Sequence, residues 1–345
     1  MALSLHVDGD RWRRHLRTFA AENADLVPVA KGNGYGFGVA RLARRVQWLG
    51  TDMVAVGTYD EVPQVVSRCP ADVLVLSPWR PSLPAVEYGD RIVHTVGRLA
   101  DLGALRAASP RPRVVVEGLT SMRRHGLSPD EFAMVGRSLG GVRLEGVALH
   151  LPLADARQNL AEVEAWLARL RSARLATTRV FLSHLVGPEL TDLRRRHPDL
   201  EVRPRVGTAL WLGDRGALSV HADVLDAHPV RRGDRIGYRQ RPQLREGTVL
   251  VVSGGTSHGI GLEAPSSATS TRQRARSVAR GGLDAAGLAL SPFTVDGRRR
   301  WFVEPPHMQV SLVFVPVGSR VPAVGDHVAA DVRHTATTFD RVEIS

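Results

Sequence analysis

Lysine is almost missing. Lysine and arginine together number 46 in this chain of 345 residues, and Lys31 is the only lysine, so the other 45 are arginine. Arginine replaces lysine in most surface roles, but its guanidinium stays protonated and is not a usable amine nucleophile. A single surviving lysine is either a relic of coding bias or the mark of a position where only a primary amine works, as in Schiff-base chemistry. Cysteine is equally scarce. Cys69 stands alone, which excludes an internal disulfide and a cysteine-cluster metal site. No segment approaches the roughly 20 uninterrupted apolar residues of a membrane helix. The first residues, MALSLHVDGDRWRRHL, place acidic and arginine side chains where a signal peptide needs an apolar run. A cytoplasmic protein with no membrane partner is expected.

The formal net charge is +11, but aromatic residues make up only 5% of the chain. The arginines are spread along its whole length, and runs such as Arg194-Arg195-Arg196 and Arg298-Arg299-Arg300 sit beside turn residues. This reads as a solvated basic surface, with no nucleic-acid partner. Apolar residues at 43% and charged residues at 23% are ordinary for a folded chain.

What is present is an alternation of strand and helix patterns. Short apolar runs occur at Leu26–Ala30, Met53–Gly57, Asp72–Leu76, Arg91–Thr95, Arg113–Glu117, Val142–His150, Arg179–Ser183 and Val202–Arg205. Helical periodicity lies between them, clearest over Val39–Leu49 and Gln158–Leu175, and a first helix runs from Trp12 to Ala21. Eight strand–helix units fit an α/β fold of the (β/α)8 barrel type, over residues 1–213. From Asp214 the texture changes to short strands at Ser219–Leu225, Val249–Val252, Val310–Val315, His327–Val332 and Val342–Ile344. A β-rich C-terminal domain over 214–345 is expected, with the polar, basic stretch 265–282 as a surface excursion or short helix.

Lys31 closes the first barrel strand in LVPVAKGNGYGFG. The C-terminal strand ends of such a barrel form its active-site face. The glycines that follow let backbone approach a ligand, and Tyr35 lies four residues on. A glycine loop alone says little; the sole lysine, a strand end and that loop together say more.

At these residues the sequence resembles the alanine racemase family, enzymes that use pyridoxal 5′-phosphate (PLP) and join an N-terminal barrel to a C-terminal β domain. The family motif K-A-N-A-Y-G-H-G reads K-G-N-G-Y-G-F-G here. The resemblance implies that Lys31 binds PLP covalently, with Tyr35 in the cofactor loop. Thr120-Ser121-Met122-Arg123-Arg124-His125-Gly126 is similar to T-G-M-x-R-x-G, which implies that Arg124 holds the substrate carboxylate. LEGVALHLPLAD is similar to E-G-x-x-T-H-F-A-x-A-D, which implies that His150 lies against the PLP ring; without that motif a satisfied buried histidine would be the plainer reading. Ser183-His184 takes the place of an N-S pair whose serine binds phosphate. RVGTALWLG resembles R-x-G-x-x-x-Y-G, which implies that Arg205 faces the pyridine nitrogen and that Gly207 and Thr208 offer backbone N–H groups to the phosphate. An arginine there keeps its proton and leaves the ring a weaker electron sink. At position 117 several family members have a carbamylated lysine; Glu117 supplies a carboxylate directly and is expected to pair with Arg124, fixing its fork for the substrate.

The resemblance breaks in the second domain. Racemisation needs a proton carrier on each face of Cα, and the family tyrosine for the second face, in G-Y-A-D-G, is Thr256 in Gly255-Thr256-Ser257-His258-Gly259. His258, which titrates near neutrality, is the expected substitute base, against the alternative of a loop histidine bonded to backbone. EPPHMQ is similar to G-R-x-C-M-D, which implies that Met308 of a neighbouring subunit lies near the substrate carboxylate. GGTSHGIG also has the look of a dinucleotide loop, but no helix pattern follows it. The expected function is therefore a PLP-dependent racemase of a small amino acid, acting as a homodimer. A PLP-dependent decarboxylase on the same plan and a PLP-binding protein without turnover are the alternatives.

Overall fold

The computed structural model describes residues 2–83, 89–153, 155–262 and 289–345. The stretch 265–282 lies outside them. The chain forms two compact units, Arg13–Gly213 and the combination of Met1–Trp12 with Asp214–Ser345. The first differs from the expected 1–213 at its start. The cause is a strand, β1 (Leu3–Val7), whose alternating Leu3, Leu5 and Val7 are all buried and which pairs within the second unit. Helix α1 (Gly9–Glu22) follows it, with Trp12 and Leu16 one turn apart and buried.

The first unit runs β2 (Val27–Pro28), α2 (Val39–Leu49), β3 (Met53–Val56), α3 (Val62–Val66), β4 (Asp72–Val75), β5 (Ile92–Val96) and α4 (Leu99–Ala108). It continues with β6 (Arg113–Gly118), α5 (Pro129–Met134), β7 (Arg143–Leu149), α6 (Ala156–Ser172), β8 (Arg179–Ser183), α7 (Pro188–Arg196), β9 (Glu201–Val206) and α8 (Thr208–Leu212). Helix α2 shows why such segments are helical. Val39, Leu42, Ala43 and Val46 recur at one-turn spacing and are buried, and Gly50, with φ of 71°, ends the helix in the left-handed region.

All eight strands β2–β9 are parallel, in the order β2-β9-β8-β7-β6-β5-β4-β3. A parallel bridge from Val29 to Ala55 joins the two ends, so the sheet closes into a (β/α)8 barrel. Val27, Val29, Met53, Ala55, Leu74, Val93, Val115, Ala148 and Phe181 fill its interior. Each expected barrel strand coincides with an observed one. At the strands' N-terminal ends, Arg113 is buried between Glu145 (2.7 Å) and Asp72 (2.6 Å).

The second unit adds β10 (Leu218–Val230), β11 (Arg235–Ile236), β12 (Arg241–Pro242), β13 (Gly247–Ser253), β14 (Leu290–Val295), β15 (Arg298–Phe302), β16 (Val310–Pro316), β17 (His327–Ala330) and β18 (Arg341–Ile344). Its main sheet runs β13-β16-β15-β14-β17-β10-β1-β18, and β10 also pairs with β13, so six antiparallel strands return on themselves. The long β10 makes this closure by a register shift between Val224 and Asp226. The hairpin β14–β15 goes beyond the sequence expectation. Asp296 and Gly297 connect it with φ values of 54° and 70°, as a two-residue type I′ turn requires. No helix among the described residues is long and apolar enough to cross a membrane.

Candidate active site

Side chains on a strand return to the same face every second residue. Two positions beyond the apolar barrel layer of Val29, Ala55, Leu74, Val93, Val115, Ala148 and Phe181 come Lys31, Gly57, Leu76, Thr95, Glu117, His150 and Ser183. On β9 the same step leads from Arg203, buried beside Phe181, to Arg205. The layer nearest the C-terminal strand ends is thus polar apart from Gly57 and Leu76, and the one beneath it is apolar apart from Arg203. Five residues expected from the sequence, Lys31, Glu117, His150, Ser183 and Arg205, belong to it.

The loop after β2 is tightly built. Tyr35 is buried with φ of 56°, a conformation that costs a non-glycine residue energy. Two more non-glycine residues with left-handed φ, Arg123 (49°) and His184 (58°), lie in the loops after β6 and β8. Strained backbone of this kind gathers where surrounding structure fixes a site. The Tyr35 hydroxyl reaches Gly207, where an added Cβ would lie 1.8 Å from its oxygen. Burial, helped by the negative charge of Glu61, pushes the Tyr35 phenol up to about 12, so it remains a neutral donor.

Lys31 reaches solvent at the barrel mouth, yet its ammonium is partly desolvated. That desolvation, then the positive charge of Arg124, lowers its pKa; Glu61 opposes the shift and Arg205 adds to it. Lys31 therefore releases a proton more readily than a free lysine. Arg205 is wholly inside, with Nη2 donating to the Leu149 carbonyl at 3.1 Å and Nε buried without a partner. Glu117 is buried too, and its Oε2 has no hydrogen-bond partner. Burial raises the Glu117 pKa, countered first by Arg205 and then by Arg124.

The expected fork between Glu117 and Arg124 is not formed. Among the described residues no ion pair joins them, and the stronger electrostatic partner of Glu117 is Arg205. The reason is placement: Glu117 points into the barrel from β6, whereas Arg124 stands on the exposed loop beyond it. No hydrogen bond or ion pair ties down Arg124 among the described residues, so its guanidinium is open to an anion.

His150 is held neutral. Burial, then the charges of Arg205 and Arg124, bring its pKa down to about 3. Its ring meets that of His184 edge-on, with centroids 5.4 Å apart, and its carbonyl accepts the Thr120 hydroxyl at 2.6 Å. The Ser183 oxygen accepts the Leu151 N–H at 3.0 Å, which leaves its own O–H free to donate. Gly207 and Thr208 begin α8, where first-turn N–H groups lack intrahelical partners.

Two expected site residues, His258 and Met308, lie in the other unit. His258 Nδ1 accepts the Gly255 N–H at 3.1 Å, and Nε2 faces both carboxylate oxygens of Asp340 at 3.1 and 3.2 Å. The ring is buried. With both nitrogens engaged, His258 braces the 255–260 turn. Met308 has an exposed side chain, and its carbonyl accepts the N–H (2.9 Å) and hydroxyl (2.6 Å) of Ser257.

Glu61 was not among the expected residues. Its Oε1 accepts the Gly32 N–H at 2.6 Å, and its Oε2 accepts the N–H groups of Gly57 (2.6 Å) and Thr58 (3.2 Å). The sequence signal is Thr58-Tyr59-Asp60-Glu61, the T-x-x-E spacing of a capping box.

Residues 7–210 match the family described as alanine racemase, N-terminal domain. The alanine racemase of Mycobacterium bovis is 27% identical over 248 residues, 63% of this chain and 62% of that enzyme. This chain therefore spans less than two thirds of that relative's length in the match. The alanine racemase of Nitratidesulfovibrio vulgaris is 29% identical over 281 residues, 70% of this chain and 72% of its own. Among solved structures, the alanine racemase of Bartonella henselae with covalently bound pyridoxal phosphate superposes with a TM-score of 0.72 and 18% identity, over 97% of this chain and 91% of that one. The Bacillus anthracis enzyme with bound L-Ala-P gives 0.71 and 20%, over 96% and 86%. At those identities the likeness is one of fold.

Proposed function

The chain belongs to the alanine racemase family, and from that membership and the barrel-mouth geometry we propose that it is a PLP-dependent racemase interconverting the L and D forms of alanine or a similar small amino acid. The observation that carries the reading is the polar layer itself: the sole lysine of the chain shares it with Arg205, a buried guanidinium whose Nε lacks a partner. An orphaned buried donor invites an acceptor, and a pyridine nitrogen is one. The residues present therefore fit the cofactor.

When bound, pyridoxal phosphate supplies an electron-withdrawing ring conjugated to the substrate's Cα, which makes the Cα proton removable. Lys31 holds the group through its amine and, once freed, takes up or returns that proton on one face. Its lowered pKa favours the change between acid and base. Arg205 takes the pyridine nitrogen and keeps its own proton. Electron withdrawal is then limited, which suits removal and return of a proton more than loss of CO2. His150, being neutral, lies against the ring without adding charge. Tyr35, Ser183 and the N–H groups of Gly207 and Thr208 take the phosphate. Arg124 receives the substrate carboxylate.

We also propose a homodimer. Leu153, on the loop after β7, is 90% exposed, and Met308, in the second unit, is 74% exposed; large exposed apolar side chains suit cover by a second copy. The single cysteine supports residence in the reducing cytoplasm. The test is incubation with PLP and a panel of L-amino acids in D2O, followed by chiral and mass analysis. Deuterated D-amino acid is expected, and none from the Lys31→Ala protein. Release of amine and CO2 would assign the decarboxylase instead; bound PLP without exchange on any amino acid would assign a carrier.

A further inference from the structure

Three backbone N–H groups from two loops meet on one carboxylate beside Lys31. Glu61 gathers the N–H of Gly32, next to the lysine, with those of Gly57 and Thr58, which follow β3. At Gly57 an added Cβ would lie 3.1 Å from the Lys31 Cβ and 3.1 Å from the Glu61 Oε2. The lysine stem, the glycine and the carboxylate are thus closely packed, and even a methyl group between them would need its neighbours to give by a few tenths of an ångström. We propose that Glu61 is the positioning residue for Lys31, tying the loop after β2 to the loop after β3 and holding the amine at the barrel mouth.

The charges around the amine support this role. Arg124 faces it from the loop after β6, Arg205 from β9, and His150 and His184 from the ends of β7 and β8; Tyr35 shares its loop. Desolvation, Arg124 and Arg205 all work against a proton on Lys31, and Glu61 works for it. Position and basicity are therefore set by the same group. Glutamine at 61 would keep one acceptor oxygen but turn an NH2 toward donors that now meet an oxygen, leaving an N–H unpaired. It would also remove the negative charge.

The consequence for proton transfer rests on the racemase reading, whereas the positioning does not, and the test separates them by using the full chain freed of aldehyde with hydroxylamine. Because Lys31 is the only lysine, reductive methylation with 13C-formaldehyde labels one side chain besides the terminal amine. Its 13C resonance then titrates that amine alone. The Glu61→Gln protein is expected to titrate about half a pH unit lower than wild type, or about threefold more free amine at a given pH below the midpoint. Glu61→Asp, which keeps the charge but withdraws it by one methylene, is expected to shift by less in the same direction. A Lys31 titration identical to wild type in whichever of the two variants retains its circular dichroism would overturn the proposal. A chain that showed the shift but bound no PLP would keep Glu61's role and lose the racemase.

Discussion

The Tyr35 phenol occupies the space beside Gly207 that a side chain would need: a Cβ there would lie 1.8 Å from the hydroxyl oxygen and 2.5 Å from Cζ. This contact joins the glycine-rich loop after β2 to the start of α8. Both segments are assigned to the phosphate of the cofactor, so their spacing decides how well an anion fits between them. Gly207→Ala is expected to drive the ring out and to cost about 1–3 kcal/mol of stability, as overpacking does. PLP affinity is expected to fall by about tenfold, equivalent to about 1.4 kcal/mol. Urea denaturation and a spectrophotometric PLP titration check both numbers, and wild-type affinity in the alanine variant would refute the coupling.

His150 makes stability depend on acid. Its pKa is lowered from 6.5 to about 3 in the fold, so between those values the unfolded chain binds a proton that the folded chain refuses. Stability is then full above pH 6.5 and declines as pH falls toward 3. His150→Gln is expected to flatten that part of the melting-temperature profile while leaving the region above pH 7 little changed. An unchanged acid slope would show that the ring is not held neutral.

Glu117 acts with the opposite sense. Burial raises its folded pKa above the free value of 4.5, so the folded chain binds the extra proton and stability falls as pH rises from 4.5 through the raised value. Glu117→Gln removes the ionisation. The variant is expected to gain in melting temperature relative to wild type on going from pH 4.5 to pH 8. A difference constant across that range would contradict the assignment.

Much of this was legible because it is local. Barrel strands announce themselves by short apolar runs, and Lys31 stands out as the sole lysine, at a strand end before a glycine loop; Glu117, His150, Ser183 and Arg205 are legible only through the resemblance of their local motifs to the family's. What failed was non-local. Strand β1 has a clear alternation, but its partner β10 lies more than two hundred residues away, as in the pair Leu5 with Val220. The hairpin β14–β15 carries an Asp-Gly turn, the strongest short-range signal of its kind, but Arg298-Arg299-Arg300 directly after it masks the apolar alternation of a strand. His258 has the right chemistry for a base, and its contact with the distant Asp340 could not be read from the local sequence. Glu117 and Arg124 are near in sequence, but strand and loop send them apart.

His258 yields a prediction that separates the two roles. Removing the ring leaves the Gly255 N–H without its acceptor and Asp340 without its partner. His258→Ala is expected to lower stability by about 1–3 kcal/mol, the cost of leaving a buried group unsatisfied. His258→Asn, which retains an acceptor oxygen for the turn, should recover part of it. Melting curves measure the loss. Conversion of the L to the D enantiomer, measured below the melting transition, is expected to persist in the asparagine variant; loss of inversion there, with Cα exchange on the Lys31 face retained, would make the histidine the second proton carrier.

The far end of the barrel tests whether stability and chemistry are separable. Arg113 is buried and held by Glu145 and Asp72, while Glu145 also meets Arg143 at 2.9 Å and Arg179 at 3.3 Å. These charges lie at the N-terminal strand ends, away from the layer of Lys31. Such a network is vulnerable to loss of one member, because the remaining buried charge stays uncompensated. Glu145→Ala would leave Arg113 with Asp72 as its remaining carboxylate partner and is expected to cost less than the ~3–5 kcal/mol of a wholly unpaired buried charge. Burial works against ionisation of Glu145, but the hydrogen bond and charge of Arg113 outweigh it and hold the carboxyl below its usual range. Its contribution is therefore present above the unfolded pKa and is lost as pH falls through the lower folded value. The gap between wild type and variant should narrow in acid. PLP affinity at 20 °C, where both proteins are folded, should be unchanged. A variant that loses cofactor affinity in step with stability would mean that the two ends of the strands are energetically linked.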